Sequence, residues 1–326
     1  MDRADELPQT IEDAWGDFRR SLARRGRKPG TVDVYRKSFR TFWRWAAAND
    51  IAADPSAVDY RVVNAWTDHL LVATVTRNGR PVMVRDADTG EHVAKLLEPA
   101  TRRILYANLR PFFSWWSREE GGDSPFDRSD APAGDKDPPV PLVSIDDLRA
   151  VIATCVDRSD FTDCRDLAII RILIDTGARR GELTALRSTD WDRRNDLLRL
   201  DGKSGPRTVP LSLSTGEALS RYYRRRAEHR HARLPALWLG PKGPLGDSGI
   251  AQLLTRRCEM AGVAHINPHK LRHSWAHLFR VEGGAEGDLM YLAGWSSTEM
   301  AHRYGRSAAM ERAQDAARRI HVGDRI

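Results

Sequence analysis

Between Glu119 and Pro141 the chain carries Gly121-Gly122, Pro125, Pro132, Gly134 and Pro138-Pro139, with little apolar content. Glycines and prolines at this density interrupt regular backbone, and the polar remainder offers no face for a core. A chain broken there folds as two bodies, each with its own interior. The 326 residues therefore divide into a domain over 1–120, a linker over 121–140 and a domain over 141–326. Both long segments can bury a core. The Asp and Gly content of the linker argues for reach rather than stiffness.

Apolar periodicity makes the first segment helical. Ile11, Trp15, Phe18 and Leu22 recur at steps of three and four and share one helical face. Gly26 to Gly30 break that helix, and Thr31 is placed to cap a second one bearing Val32, Tyr35, Phe39, Phe42 and Trp43. A third helix follows Asp54-Pro55-Ser56, with Val58, Val62, Trp66 and Leu70 inward. The stretch Thr76 to Glu91, with Asn78-Gly79 and Thr89-Gly90, reads as a long loop or hairpin. A fourth helix over Glu98 to Arg118 carries Ile104, Leu105, Phe112, Phe113 and Trp116 and is expected to kink at Pro111. By spacing, the aromatics of this segment, among them Trp43, Trp45, Trp115 and Trp116, are mainly core.

Past the linker, Ser144-Ile145-Asp146-Asp147 is a capping signal for a new helix. The rest is mostly helical, interrupted by one strand-rich patch. Residues 196–201 and 207–211 alternate or run apolar around the turn Gly202-Lys203-Ser204-Gly205-Pro206.

A net charge of +7 favours a polyanionic partner. Cys155, Cys164 and Cys258 are too few and too scattered for a disulfide framework or a zinc cluster, which implies a reducing compartment. Met1 to Glu6 lacks the apolar core of a signal peptide. No apolar run approaches the roughly 20 residues of a membrane helix. The expected location is the cytoplasm, away from membranes.

The second segment carries groups suited to a phosphodiester, in a fixed order. Arg179 stands in Thr-Gly-Ala-Arg-Arg-Gly-Glu-Leu, Lys203 in the Gly-Lys-Ser-Gly-Pro turn, and His269 and Arg272 in Pro-His-Lys-Leu-Arg-His. Trp295 follows in Ala-Gly-Trp-Ser-Ser, and Tyr304 stands nine positions later. This series resembles the catalytic domain of the tyrosine recombinases, the phage integrase family, over about residues 141–320. The family pattern expects the same spacing from Trp295 to Tyr304. The first domain is similar to the family's core-binding domain only in size, order and helix count.

The residue types fit one reaction. Attack on a phosphodiester builds a pentavalent phosphorus with added negative charge on its equatorial oxygens. Planar guanidinium forks that stay protonated suit that charge, which is the role assigned to Arg179 and Arg272. Arg180 is adjacent, and on a helix its side chain would point about 100° away. The family pattern, not residue chemistry, selects Arg179 of the two. Glu182, three residues on, can orient Arg179 by a salt bridge. A phenol with a pKa near 10 is ionised to about one part in a thousand at neutrality, so Tyr304 needs a proton acceptor. His269 is the expected base. The leaving 5′-oxygen needs a proton, which Lys203 on its hairpin tip can supply, with Arg207 as a competing candidate. Where the commonest family pattern has histidine, this chain has Trp295, which retains one N–H donor but transfers no proton near neutrality. His269, His273 and His277 recur every four residues, yet no His-Glu-x-x-His, cysteine pair or carboxylate cluster accompanies them. Neither a metal nor a cofactor is expected.

The resemblance implies a mainly α protein with a small β-hairpin or sheet in its C-terminal domain, built as a two-domain DNA clamp. It implies a site-specific recombinase or integrase that breaks and rejoins strands through a 3′-phosphotyrosyl intermediate. The alternatives are a relaxing enzyme similar to type IB topoisomerases and a non-catalytic DNA-binding protein with the same fold. The implied partners are double-stranded DNA with inverted half-sites, three further copies in a tetramer on synapsed DNA, and an accessory directionality factor. Basic clusters such as Arg19-Arg20, Arg24-Arg25 and Arg224-Arg225-Arg226 are expected to divide between phosphate and solvent. A helix over 307–320 is expected to dock on a neighbouring copy. Little sequence precedes the first helix, so the arm-site-binding domain of larger phage integrases is expected to be missing.

Overall fold

The computed structural model describes residues 7–77, 80–86, 89–133, 142–202, 204–298, 313–314 and 317–318. The helix expected over 307–320 lies almost wholly outside them. Two compact units divide the chain, Met1–Pro138 and Pro139–Ile326. Among the described residues no helix is long and apolar enough to cross a membrane.

The first unit is built on four helices, α1 (Gln9–Arg24), α2 (Pro29–Ala48), α3 (Tyr60–Val72) and α4 (Pro99–Glu120). Phe18, Phe39, Phe42, Trp66, Phe112 and Phe113 are fully buried at its centre. Many of these rings meet edge to face, as in Phe18–Phe112 at 5.5 Å and 90° and Phe42–Trp66 at 5.7 Å and 89°. That geometry sets the positive rim of one ring against the negative face of the next.

Several local expectations shift. Helix α2 starts at Pro29 rather than after Thr31, because proline presets helical φ and its missing amide is one that a first turn leaves unbonded anyway. Helix α3 begins only at Tyr60, where the Asp59 carboxylate accepts from the amides of Arg61 and Val62. That start places Val63 rather than Val62 on the buried face with Trp66 and Leu70. Helix α4 runs through Pro111, giving up the amide that would bond back to Ala107, and its Ile104 is exposed.

Strands were expected only in the second domain, apart from a loop or hairpin over 76–91. Four short ones occur between α3 and α4: β1 (Thr76–Arg77), β2 (Arg80–Pro81), β3 (Met83–Arg85) and β4 (His92–Ala94). β1 pairs with β2 and β3 with β4, both antiparallel. The two hairpins spring from a closed ring of backbone bonds: Val75 N donates to Lys95 O, Lys95 N to Val82 O, and Val82 N to Val75 O, at 2.7–2.8 Å.

The stretch 121–140 also departs from the linker reading in its first half. Phe126 is buried against Tyr106 and Phe113, with ring centroids 4.9 and 5.5 Å away. The Ser129 hydroxyl meets the Tyr106 hydroxyl at 2.7 Å, and the Asp130 amide donates to Asn64 Oδ1 at 2.9 Å. One aromatic ring amid polar neighbours is enough to seat this segment on the first unit. Residues 134–141 lie outside the described ones.

In the second unit Ser144 caps α5 (Ile145–Ala153) by accepting from the Asp147 amide. Helix α6 (Phe161–Thr176) is buried along most of its length and leads to α7 (Arg180–Ala185). A three-stranded antiparallel sheet follows in the order β5 (Trp191–Asp192), β6 (Leu197–Gly202), β7 (Gly205–Pro210). Leu198 pairs with Val209 and Leu200 with Arg207, so all four face the core. Helix α8 (Leu213–Ala227), hairpin β8 (Leu239–Gly240) and β9 (Gly243–Pro244), and helices α9 (Asp247–Ala261), α10 (Pro268–Val281) and α11 (Glu286–Ala293) follow in the unit. Arg226, expected to face phosphate or solvent, is instead buried. Its guanidinium donates to the carbonyls of Ala232, Leu234, Ala236 and Leu237, closing a loop that an antiparallel bridge between Arg187 and Ala236 also anchors.

If 124–130 belongs to the first unit, Phe126→Ala lowers the stability of that unit by about 3–5 kcal/mol in urea unfolding. A free linker would leave the transition unmoved.

Candidate active site

The site grows from three junctions in the second unit. After α6 the chain turns through Gly177 and Ala178, and Arg179 occupies the extended position that caps α7. It is therefore not on the helix, as the sequence reading had it; the helix begins at Arg180. The two arginines part company all the same, since Arg180 Nε reaches Asp247 Oδ2 at 3.2 Å. At the second junction Asn267 accepts from the Lys270 amide and Pro268 opens α10, which sets His269 exposed at the helix start and Arg272 buried one turn on. At the third, α11 ends in left-handed Gly294, and Trp295 follows.

One carboxylate ties these junctions together. Glu182, only 3% exposed, accepts four hydrogen bonds. Its Oε1 takes Arg179 Nη1 at 2.8 Å and Arg207 Nη1 at 2.9 Å. Its Oε2 takes the Arg179 backbone amide at 2.9 Å and Arg207 Nη2 at 2.8 Å. Burial pushes this carboxyl up, but the Arg207 and Arg179 donors outweigh it and hold its pKa down at about 2.

The arginines also share the end of α11. Arg207 Nε donates to Leu292 O at 2.6 Å, Arg272 Nη2 to Ala293 O at 2.5 Å, and Arg179 Nη2 to Gly294 O at 3.0 Å. Three consecutive carbonyls at a helix C-terminus, without amide partners among the described residues, thus meet three guanidinium groups from three elements. Arg272 Nη1 donates to Gly177 O at 2.7 Å, and its Cζ lies 5.2 Å from the centre of the Trp295 ring. Carbonyl acceptors fix a guanidinium in place without cancelling its charge.

Arg179, His269, Arg272 and Trp295 line one cleft of about 1160 Å³, together with Arg180 and Ser204. Four of the six residues expected from the sequence therefore converge. Lys203 and Tyr304 lie outside the described residues. The rings of His269 and the buried His273 meet at 72°, with centroids 4.0 Å apart.

Comparisons with known proteins identify the family. The sequence model described as "Phage integrase family" matches residues 143–311. A tyrosine recombinase XerC of Chromobacterium violaceum is 30% identical over 248 residues, covering 74% of this chain and 81% of the relative. The chain belongs to the phage integrase family of tyrosine recombinases. A XerC of Proteus mirabilis is 25% identical over 311 residues, with 92% of each chain covered. A XerC of Chromohalobacter salexigens is 36% identical over 137 residues, which span 41% of this chain and only 45% of that relative. Among solved structures, the Tn1549 transposon integrase in complex with transposon right end DNA shares the fold with a TM-score of 0.70 at 18% identity, covering 96% of this chain and all of the other.

Within this tyrosine recombinase, sequence reasoning weighed Arg207 only as a substitute for Lys203 and missed its place beside Glu182. The signal was available: Arg207 sits two residues before Val209 on one strand, on the inward side of an alternating pattern.

The depressed Glu182 pKa gives a pH signature. Below its ordinary value the unfolded chain takes up the proton and the folded one does not, so stability from this group is complete above about pH 4.5 and is lost as pH falls toward 2. Unfolding free energies of the native chain and Glu182→Gln should differ by a constant amount above pH 4.5, and the gap should shrink by about 3 kcal/mol at lower pH. A gap that does not vary with pH would contradict the assignment.

Proposed function

We propose that this recombinase cuts each DNA strand by attack of the Tyr304 hydroxyl on a backbone phosphate, leaving a 3′-phosphotyrosyl bond and a free 5′-hydroxyl. On this reading Arg179 and Arg272 hold the non-bridging oxygens, His269 accepts the Tyr304 proton, and Trp295 donates its Nε1–H to the phosphate. Lys203 protonates the leaving 5′-oxygen. The reverse attack by a 5′-hydroxyl of another strand rejoins the DNA. The phosphotyrosyl ester keeps the energy of the original bond, so the exchange needs no ATP.

The observation that carries the proposal is the convergence of Arg179, His269, Arg272 and Trp295 on one cleft, from positions spread between residues 179 and 295. A pentavalent phosphorus gains charge on oxygens that planar N–H donors already in place can meet without rearranging. Similar solved structures support DNA as the partner: besides the transposon integrase, a lambda integrase dimer is bound to a core site, with TM-score 0.64 and 16% identity. We extend the reading to duplex sites with inverted half-sites, a homotetramer on synapsed DNA, an accessory directionality factor and a cytoplasmic location. The helical first unit then serves as the core-binding domain.

Nicked duplexes made from DNA flanking the gene should trap a protease-sensitive covalent adduct that maps the cut. Tyr304→Phe should abolish that adduct, and Arg272→Ala should slow it by about 10²–10³-fold. Lys203→Ala should be rescued by a substrate whose leaving 5′-oxygen is replaced by sulphur, because a thiolate needs no proton to depart. Arg272→Ala should gain nothing from that substrate. Efficient relaxation of plasmids lacking the mapped site would point instead to a site-independent relaxing enzyme.

A further inference from the structure

Arg207 is as buried as Arg272, at 6% and 4% exposure, yet the proposed chemistry gives it no task. Its guanidinium spends all three nitrogens on protein: Nη1 and Nη2 on the two oxygens of Glu182, and Nε on the Leu292 carbonyl. That fork spans three elements of the site at once. Glu182 is the residue that orients Arg179, through Oε1 and through the backbone amide. Leu292 opens the run of three carbonyls to which Arg272 and Arg179 also donate. Arg207 itself sits on β7, one arm of the hairpin whose turn contains Lys203.

Two close approaches make the arrangement rigid. A Cβ on Gly202, the last residue of β6, would stand 2.2 Å from Glu182 Oε1, so the strand lies directly on the carboxylate. A Cβ on Gly294 would stand 2.9 Å from Arg207 Nη1 and 3.4 Å from Arg179 Nη1, so the chain leaving α11 lies against both guanidinium groups. Gly202 has no room to shift toward Glu182, nor Gly294 toward Arg207.

We infer that Arg207 is a positioning residue for strand cleavage: it sets Glu182, and through it Arg179, while tying the Lys203 hairpin to the end of α11. It touches no substrate. The inference rests on the recombinase reading above. Its distinct claim is that Arg207 acts on the rate of phosphotyrosyl formation through Glu182, with DNA binding left alone. A lysine cannot replace it, because its three donors radiate from one nitrogen and cannot span the two carboxylate oxygens and the distant carbonyl that the planar fork reaches from three.

The test uses the full chain and a nicked duplex carrying the mapped cut site, and measures two quantities, non-covalent affinity and the single-turnover rate of adduct formation at saturating protein. Arg207→Lys and Arg207→Gln should bind the duplex within about twofold of the native chain. A displacement of a phosphate-holding group by about an ångström costs on the order of 10²-fold in rate, so Arg207→Gln should fall by about that factor and Arg207→Lys should recover only part of it. Combining Arg207→Gln with Glu182→Gln should slow cleavage no more than the worse single change, since both act through one unit. Losses that multiply in the double variant would overturn the inference. So would a full rate in Arg207→Lys, a loss that appears in affinity instead of rate, or failure of both single variants to unfold cooperatively. If the native chain forms no adduct, the recombinase chemistry itself fails, whereas a native chain that cleaves beside unaffected variants sinks Arg207 alone.

Discussion

The candidate site is organised around one buried carboxylate, that of Glu182. Removing the Glu182 carboxylate from water is unfavourable unless its lone pairs are filled and its charge is opposed. Four donors from Arg179 and Arg207 do both. The same bonds dictate where those arginines stand, because a planar fork bound at two points has little freedom left. Such an ion pair adds little net stability over an apolar replacement. What it contributes is geometry, and geometry is what a phosphate-holding site requires.

The charge balance of the cluster is unequal by design of its acceptors. Arg179, Arg207 and Arg272 bring three positive charges against the single negative charge of Glu182, which leaves two. Among the described residues these arginines also donate to carbonyls at the end of α11 and at Gly177, which are dipoles and not ions. Had two carboxylates held Arg272 in place of the two carbonyls, this cluster would carry no surplus charge. A phosphodiester under attack by a phenolate carries two negative charges, so the surplus matches the proposed transition state in sign and size. Preorganised in a partly buried cleft, such charges interact far more strongly than they would in water.

Much of this was legible in the sequence because chemistry and order coincided. The series Arg179, His269, Arg272, Trp295 could be placed before any fold was known, and the Arg179–Glu182 pair followed from a spacing of three. The Ser144 cap and the strands around Lys203 were equally local signals. What escaped depended on distant partners. Nothing near Arg226 announces that four carbonyls from 232 to 237 need its guanidinium, and a basic triplet reads as surface. Phe126 hides in a glycine- and proline-rich stretch whose composition argues for exposure. The forked hairpins between α3 and α4 are closed by backbone bonds, which no side-chain pattern records.

The bonds that hold the site together cross long stretches of chain: 115 residues from Arg179 to Gly294, 95 from Arg272 to Gly177 and 85 from Arg207 to Leu292. Each closes a loop whose entropy is lost only when the intervening elements have already packed. The arginines therefore cannot assume their spacing in a partly folded second unit, however well α10 or the β6–β7 hairpin forms alone. Before that point they are flexible cations that attract a polyanion without orienting it. Affinity for phosphate belongs to the composition of this chain, whereas the directed arrangement at the cleft belongs only to the finished fold.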